Sequence, residues 1–244
     1  MKTASRQIAA QLRDVFEATP LQRNAHLSEI YGADILLKRE DLTPVRSYKI
    51  RGAFNAMTNA MKGRETSPLF VCASAGNHAQ GVAFMCKYLG VRGRIFMPVT
   101  TPSQKIMKTK TFGGDLIEIK LVGDYFDETL AAAKAYCEAE QGIVLPPFDA
   151  EDVIMGQSTV AAEIEEQLGQ APDLIVLPVG GGGLSAGVTS YFGRETHYAF
   201  IEPSGGACLA AAQEAGKPVP LARIDSFVDG AAVAEIGQLT YEKL

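Results

Sequence analysis

The stretch DLIVLPVGGGGLS, Asp173 to Ser185, runs from an apolar strand pattern through four consecutive glycines into a helical pattern. Four missing Cβ atoms let several backbone N–H groups converge on one anion, and the dipole of the following helix faces the same point. The loop has neither the Gly-Lys-Ser/Thr ending of a nucleotide P-loop nor the spacing of a dinucleotide fingerprint, which argues against an ordinary ATP or NAD site. It reads as a phosphate cradle; taken alone, it is also compatible with a tight packing turn.

Outward from this loop the same unit recurs: a short apolar run, a small-residue turn, then an alanine-containing helix. The units are 69–73 with 77–89, 94–98 with 103–111, 114–119 with 125–139, 174–178 with 184–192, and 197–201 with 206–215. Strands alternating with helices of this length predict βαβ units and an α/β fold of mostly parallel, open twisted sheets with helices on both faces. Ligands then belong beyond the carboxyl ends of the strands, where loops feed helix N-termini. Before these units, a helix is expected over 4–16, a strand over 35–37, the charged connection KRED over 38–41, and a helix from Ser47 to Met61. The stretch 140–158, with adjacent prolines, shows no full strand–helix unit and reads as a domain crossing. The resulting division is a small α/β domain, 54–153, inserted in a larger one made of 1–53 and 154–244.

With 244 residues, 47% of them hydrophobic, and 24 glycines, the chain has enough material for one large or two small domains. Its net charge of -5 and scattered Lys and Arg leave no footprint for a nucleic-acid backbone. No run approaches the roughly 20 apolar residues of a membrane span, and the N-terminus lacks a signal-peptide core, so a cytoplasmic location is expected. Cys72, Cys86, Cys137 and Cys208 match no zinc spacing and read as reduced thiols; with three histidines in the chain, no metal site is expected.

Two further stretches carry chemistry. CASAGNHAQG, Cys72 to Gly81, again follows a strand pattern; Ser74 offers a hydroxyl and Asn77 an amide at the first turn of the next helix, as ligand groups or as a helix cap. In SYKIRGAFN, Ser47 to Asn55, Lys49 stands at a helix start between Tyr48 and Ile50. A lysine in apolar surroundings loses part of its preference for the charged form and becomes a nucleophile toward carbonyls, although most lysines are simply exposed. A lysine, a phosphate loop and a polar Asn loop together match the needs of an aldehyde-bearing phosphate cofactor.

In this order and at these separations, SYKIRGAFN, SAGNHAQG and the four-glycine loop resemble the threonine dehydratase family of pyridoxal-phosphate enzymes, with the tryptophan-synthase-β-like fold. The resemblance extends through Leu21, KRED, Phe148 and Asp149, Gly156 and Gln157 to DGAAV, Asp229 to Val233, and the RSYK form from Arg46 is similar to the biosynthetic branch. It implies that pyridoxal 5′-phosphate is the cofactor and that Lys49 joins its aldehyde and then acts as base. It further implies that Asn77 binds the ring's 3′-oxygen, that Gly180, Gly181, Gly182, Gly183 and Leu184 hold the phosphate, and that Ser74, Ala75, Gly76 and His78, with Gln157 nearby, meet the substrate carboxylate. The implied reaction is β-elimination of L-threonine to 2-oxobutanoate and ammonia, the first step of isoleucine biosynthesis, in a homo-oligomer, commonly a dimer or tetramer.

Some features depart from the family. After Val233 neither the E-P-A-G-A-like stretch nor the S-G-G-N-like loop follows, so the large domain is expected to be incomplete at its C-terminus. Cys208 stands where relatives that bind a cation carry an acid after the Glu202-Pro203 pair, and Ser158 where relatives usually have glycine; Glu202 is expected to be a surface acid at a strand end. The alternatives are a serine or hydroxyaspartate dehydratase or racemase, and a truncated, inactive binding or assembly protein on the same fold.

Overall fold

The computed structural model describes residues 1–225 and 227–244. Its largest sheet has four parallel strands in the order β5-β4-β3-β6: β3 (Phe70–Ala73), β4 (Gly93–Met97), β5 (Ile117–Leu121) and β6 (Ile143–Val144). Side chains alternate across it, as the pleat requires. Phe70, Cys72, Ile95 and Met97 face a core shared with α3 (Lys49–Met61) and α4 (Asn77–Leu89). Val71, Ala73 and Phe96 face Ala133 and Cys137 of α6 (Phe126–Ala139) on the opposite side. Both faces of the sheet centre are thus covered by helices, which is why Phe70–Ala73 and 95–97 read as continuous apolar runs, whereas the edge strand β5 alternates. The helix α5 (Ser103–Gly113) links β4 to β5.

A second parallel pair, β7 (Leu174–Pro178) and β8 (His197–Ile201), packs Ile175, Leu177, Tyr198 and Phe200 against α1 (Lys2–Leu12), α8 (Thr159–Leu168) and α9 (Gly183–Phe192). On its other face Leu174, Val176 and Ile201 are exposed. The two-stranded antiparallel pair β1 (Leu21–Arg23) and β2 (Leu36–Lys38) flanks α2 (Ala25–Tyr31). The remaining helices are α7 (Glu151–Gln157), α10 (Cys208–Ala215) and α11 (Gln238–Glu242). None of the helices among the described residues is long and apolar enough to cross a membrane.

The α/β architecture agrees with the strand–helix alternation, and α3 and α4 end where the apolar periodicity ends. Three expectations need correction. The first helix stops at Leu12, with Val15 and Phe16 in a following turn that still packs on the core. The fifth strand begins at Ile117, because Gly114–Leu116 forms a 3-10 turn after Gly114 takes a positive φ of 57°. The stretch 140–158 does hold a strand and a helix, β6 and α7; β6 has two residues and hides between a glycine and the prolines.

Three helices meet at glycines. Gly52 of α3 lies against Gln157 and Val153 of α7, Gly156 of α7 against the Arg51 carbonyl, and Gly187 of α9 against the Ile154 carbonyl at 2.7 Å from where a Cβ would stand. Close backbone approach at these positions packs both α3 and α9 tightly on α7. Gly81 of α4 likewise sits on the Lys49 backbone, 3.2 Å from it in the same sense.

Candidate active site

Lys49, Asn77 and Gly183 are the first residues of α3, α4 and α9. Each motif singled out in the sequence therefore lies at a helix N-terminus, where N–H groups lack intrahelical acceptors and the dipole is positive.

The Lys49 side chain is half-buried, and its Nζ donates to the carbonyl of Pro147 at 2.7 Å. It stands 5.5 Å from the Tyr48 ring centroid and 5.9 Å from that of Phe148. No carboxylate pairs with it among the described residues. Burial lowers its pKa to about 8, so a substantial neutral fraction exists near physiological pH. The phenol of Tyr48 is pushed up to about 12 by burial and stays protonated.

His78 is buried, with Nε2 2.9 Å from the carbonyl of Leu145. Burial, and then the nearby charge of Lys49, lowers its pKa to about 3; the bond to Leu145 opposes this only in part. A neutral imidazole facing a carbonyl must carry its proton on that nitrogen, so Nε2 donates. The segment Leu145 to Phe148 is thus held by two side chains from two motifs, Lys49 and His78.

Phe148 continues the connection. Its ring lies against Gly181, and its Cβ would be 2.9 Å from a Cβ on Gly183. One aromatic side chain separates the lysine amine from the glycine loop. In that loop the N–H groups of Gly180 to Ser185 have no acceptor among the described residues, although Gly181 to Ser185 are all buried. Six consecutive unpaired donors at a helix start, beside an amine whose pKa burial lowers, fit the phosphate and the aldehyde of one cofactor. The N–H groups of Ala75, Asn77 and His78 are unpaired in the same way, and Ser74 Oγ accepts from Gly76 at 3.2 Å, closing the 74–78 turn. The Asn77 side chain is exposed, while Ser74, Ala75 and Gly76 are half-buried.

Gln157 is buried where α7 meets α3, three residues along α3 from Lys49, with Oε1 unpartnered. Glu202 is no idle surface acid: its carboxylate accepts from the N–H groups of Leu209 and Ala210 at 2.7 and 2.9 Å, capping α10. Ser158 uses the hydroxyl a glycine would lack to bond Ser5 Oγ at 2.6 Å, tying α1 to the α7–α8 junction. All four cysteines are buried and free.

The profile of the family described as "Pyridoxal-phosphate dependent enzyme" matches residues 12–244. The chain belongs to that family. Its cofactor is pyridoxal 5′-phosphate. Over 236 residues it is 48% identical to the L-threonine dehydratase biosynthetic IlvA of Bacillus subtilis, covering 96% of this chain and 56% of that protein. The IlvA of Corynebacterium glutamicum is 48% identical over 238 residues, 95% of this chain and 54% of its own length. Among solved structures, the processed form of threonine deaminase isoform 2 from Solanum lycopersicum superposes with a TM-score of 0.89 at 37% identity, over 99% of this chain and 71% of the other. The chain thus spans about half the length of the curated relatives it matches.

Three participants do not stand out in the sequence: the Pro147 carbonyl, the Phe148 ring as a bridge, and Arg51, which lies fully buried two residues along α3 from Lys49 and bonds Glu40 and Glu163. The adjacent prolines hinted at the first and the acid in KRED at the last. Phe148 is part of the family resemblance, which implies no task for it.

Proposed function

We propose that this chain carries the catalytic centre of an ammonia-lyase that converts L-threonine to 2-oxobutanoate and ammonia by β-elimination, the first step of isoleucine biosynthesis. The observation that carries the reading is the Lys49 amine, held down to about 8 by burial and one aromatic ring away from a loop of unpaired N–H donors. When bound, pyridoxal 5′-phosphate supplies an aldehyde for amine attachment and a conjugated ring that takes up the electron pair left at the substrate Cα.

Lys49 has two duties, attachment of the cofactor and, as a free amine, removal of the α-proton at Nζ. A base with a pKa near the working pH is suited to the second, since it is often unprotonated yet still binds a proton well. The Pro147 carbonyl keeps that amine within a defined radius. The backbone donors of Gly180, Gly181, Gly182, Gly183 and Leu184 hold the phosphate, and the Asn77 amide binds the ring's 3′-oxygen. Ser74, Ala75, Gly76 and His78 receive the substrate carboxylate, with Gln157 nearby. Fixing both ends of the bound substrate replaces a bimolecular encounter by an oriented one.

In the same reading the chain divides into a small domain, 54–153, inserted between 1–53 and 154–244. The protein works in the cytosol as a homo-oligomer on a small amino-acid substrate.

The test is an absorption spectrum of the purified chain with pyridoxal phosphate, before and after threonine, beside the Lys49→Ala variant. A protein-bound cofactor band that responds to threonine and is missing in the variant supports the reading. Absence of the band in the unaltered chain rejects a competent cofactor site. A product assay comparing threonine with serine then separates a threonine lyase from a serine dehydratase or racemase.

A further inference from the structure

The glycine loop offers donors in one direction because its carbonyls are held in another. Thr240, fully buried in α11, places Oγ1 2.8 Å from the carbonyl of Gly181 and 3.0 Å from that of Gly237. Its own N–H donates to Asp149 Oδ1 at 3.1 Å, next to Phe148. On the other side of the loop, buried Cys208 directs Sγ at the carbonyl of Gly180, 3.2 Å away. A trans peptide is planar, so its C=O and N–H point in opposite directions. Pinning the Gly181 carbonyl onto Thr240 therefore aims the N–H of Gly182 away from Thr240, and pinning the Gly180 carbonyl onto Cys208 does the same for the N–H of Gly181. Gly182 has a φ of 86°, and a Cβ there would stand 2.9 Å from Thr240 Oγ1, so loop and threonine fit as one unit.

We propose that Thr240 is a positioning residue for the cofactor phosphate: by holding the Gly181 carbonyl, its hydroxyl turns the Gly182 N–H into the phosphate cradle. Cys208 does the same, more weakly, for the Gly181 N–H, because a thiol is the poorer donor. Neither side chain touches the phosphate. The inference rests on the proposed assignment of the loop to that phosphate.

The experiment compares dissociation constants for pyridoxal 5′-phosphate and for pyridoxal, which has the same aldehyde and no phosphate, in the unaltered chain and in Thr240→Val and Thr240→Ser. Thr240→Val keeps the shape and removes the hydroxyl. Its affinity for the phosphorylated form is expected to fall about fivefold to tenfold, the size of one hydrogen bond, with pyridoxal affinity unchanged. Thr240→Ser restores the preference. The 31P resonance of bound cofactor is expected to move in Thr240→Val and to return in Thr240→Ser. Equal losses for both aldehydes, or no change in either, overturn the proposal. If Thr240→Val does not fold, Thr240→Ala carries the same comparison, and an unfolded Thr240→Ala assigns the residue to stability alone and overturns the proposal too. An unaltered chain that binds neither aldehyde defeats the cofactor-site reading itself, and the inference with it.

Discussion

Arg51 and Glu163 form a fully buried double hydrogen bond, Nη1 to Oε1 at 2.8 Å and Nη2 to Oε2 at 2.9 Å, two residues along α3 from Lys49. Glu40 of the KRED stretch takes the other edge of the guanidinium, with both contacts at 2.8 Å, and Lys38 reaches Glu163 at 2.7 Å. Arg13 closes the cluster on Glu163. Lys49 thus starts a helix whose opposite side is anchored by charges that cannot move singly.

Removing one partner strips the buried cluster of its central double hydrogen bond and leaves its remaining charges unbalanced away from water, so Arg51→Met and Glu163→Gln should each cost about 3–5 kcal/mol in denaturant unfolding. Burial alone would raise the Glu163 carboxyl, but the hydrogen bonds and charge of Arg51, with Lys38, hold it down at about 2. A folded-state pKa below the unfolded one contributes stability that is complete above the unfolded carboxylate value and is lost as pH falls toward about 2. Urea midpoints should drop between pH 5 and 3, and this part of the drop should vanish in Glu163→Gln. A drop of equal size in the variant would assign it to other carboxylates.

Lys49 runs the opposite way. Its pKa of about 8 lies below the ordinary lysine value, so the unfolded chain binds more protons between about 8 and 10.5. Stability from this group therefore rises with pH across that window, and the burial cost is fully present below it. Cofactor attachment, followed as growth of the bound absorption band, should accelerate with pH and level off above about 8. Lys49→Met should lose attachment yet gain on the order of 1 kcal/mol at pH 7, the usual exchange of stability for function at an active site. A rate still climbing steeply at pH 10 would mean an ordinary, solvated lysine.

His78 occupies a motif that suggests acid–base chemistry, but burial and the charge of Lys49 keep it neutral down to about pH 3. Its imidazole should show no titration between pH 5 and 8 in nitrogen-correlated NMR, with the proton fixed on Nε2 by the Leu145 carbonyl. Since its folded pKa is lowered, the stability it contributes is present above the unfolded histidine value and is lost as pH falls from there toward 3. Titration near 6.5 would contradict the buried donor role.

The sequence announces α4 and its loop clearly because strand, turn and helix patterns there follow one another without interruption. The Lys49 helix is equally readable, yet Lys49 alone looks like any exposed lysine, and only its combination with the other two motifs sets it apart. Arg51 stayed hidden because its partners, Glu40 and Glu163, lie 11 and 112 residues away in sequence and local periodicity carries no such information. The β6 strand escaped because it has two residues and takes its identity from pairing with Phe70 and Val71. The task of Thr240 escaped for the same reason: a threonine in a short C-terminal helix says nothing of a glycine carbonyl 59 residues earlier.

Glycine in the loop and in the helices behind it should matter for different reasons, and substitution can separate them. A Cβ on Gly181 would enter the Phe148 ring, which also stands beside Lys49. Gly181→Ala must move that ring or the loop, so it should weaken cofactor binding strongly, at a stability cost of about 1–3 kcal/mol typical of overpacking. Gly187 lies one turn into α9, and a Cβ there would stand 2.7 Å from the Ile154 carbonyl and 2.8 Å from the Ser158 nitrogen. Backbone cannot yield as a ring can, so Gly187→Ala should push α9 off α7 and reduce stability at least as much. Its effect on cofactor affinity then arises through the distance between the α9 and α3 N-termini. The affinity ratio of pyridoxal phosphate to pyridoxal tells the two apart: Gly181→Ala should lower both affinities because Phe148 is displaced toward Lys49, whereas Gly187→Ala, which carries the whole loop away from the lysine, should lower the phosphate-bearing form more. Identical ratios in the two variants would show that loop and helix stack move as one body.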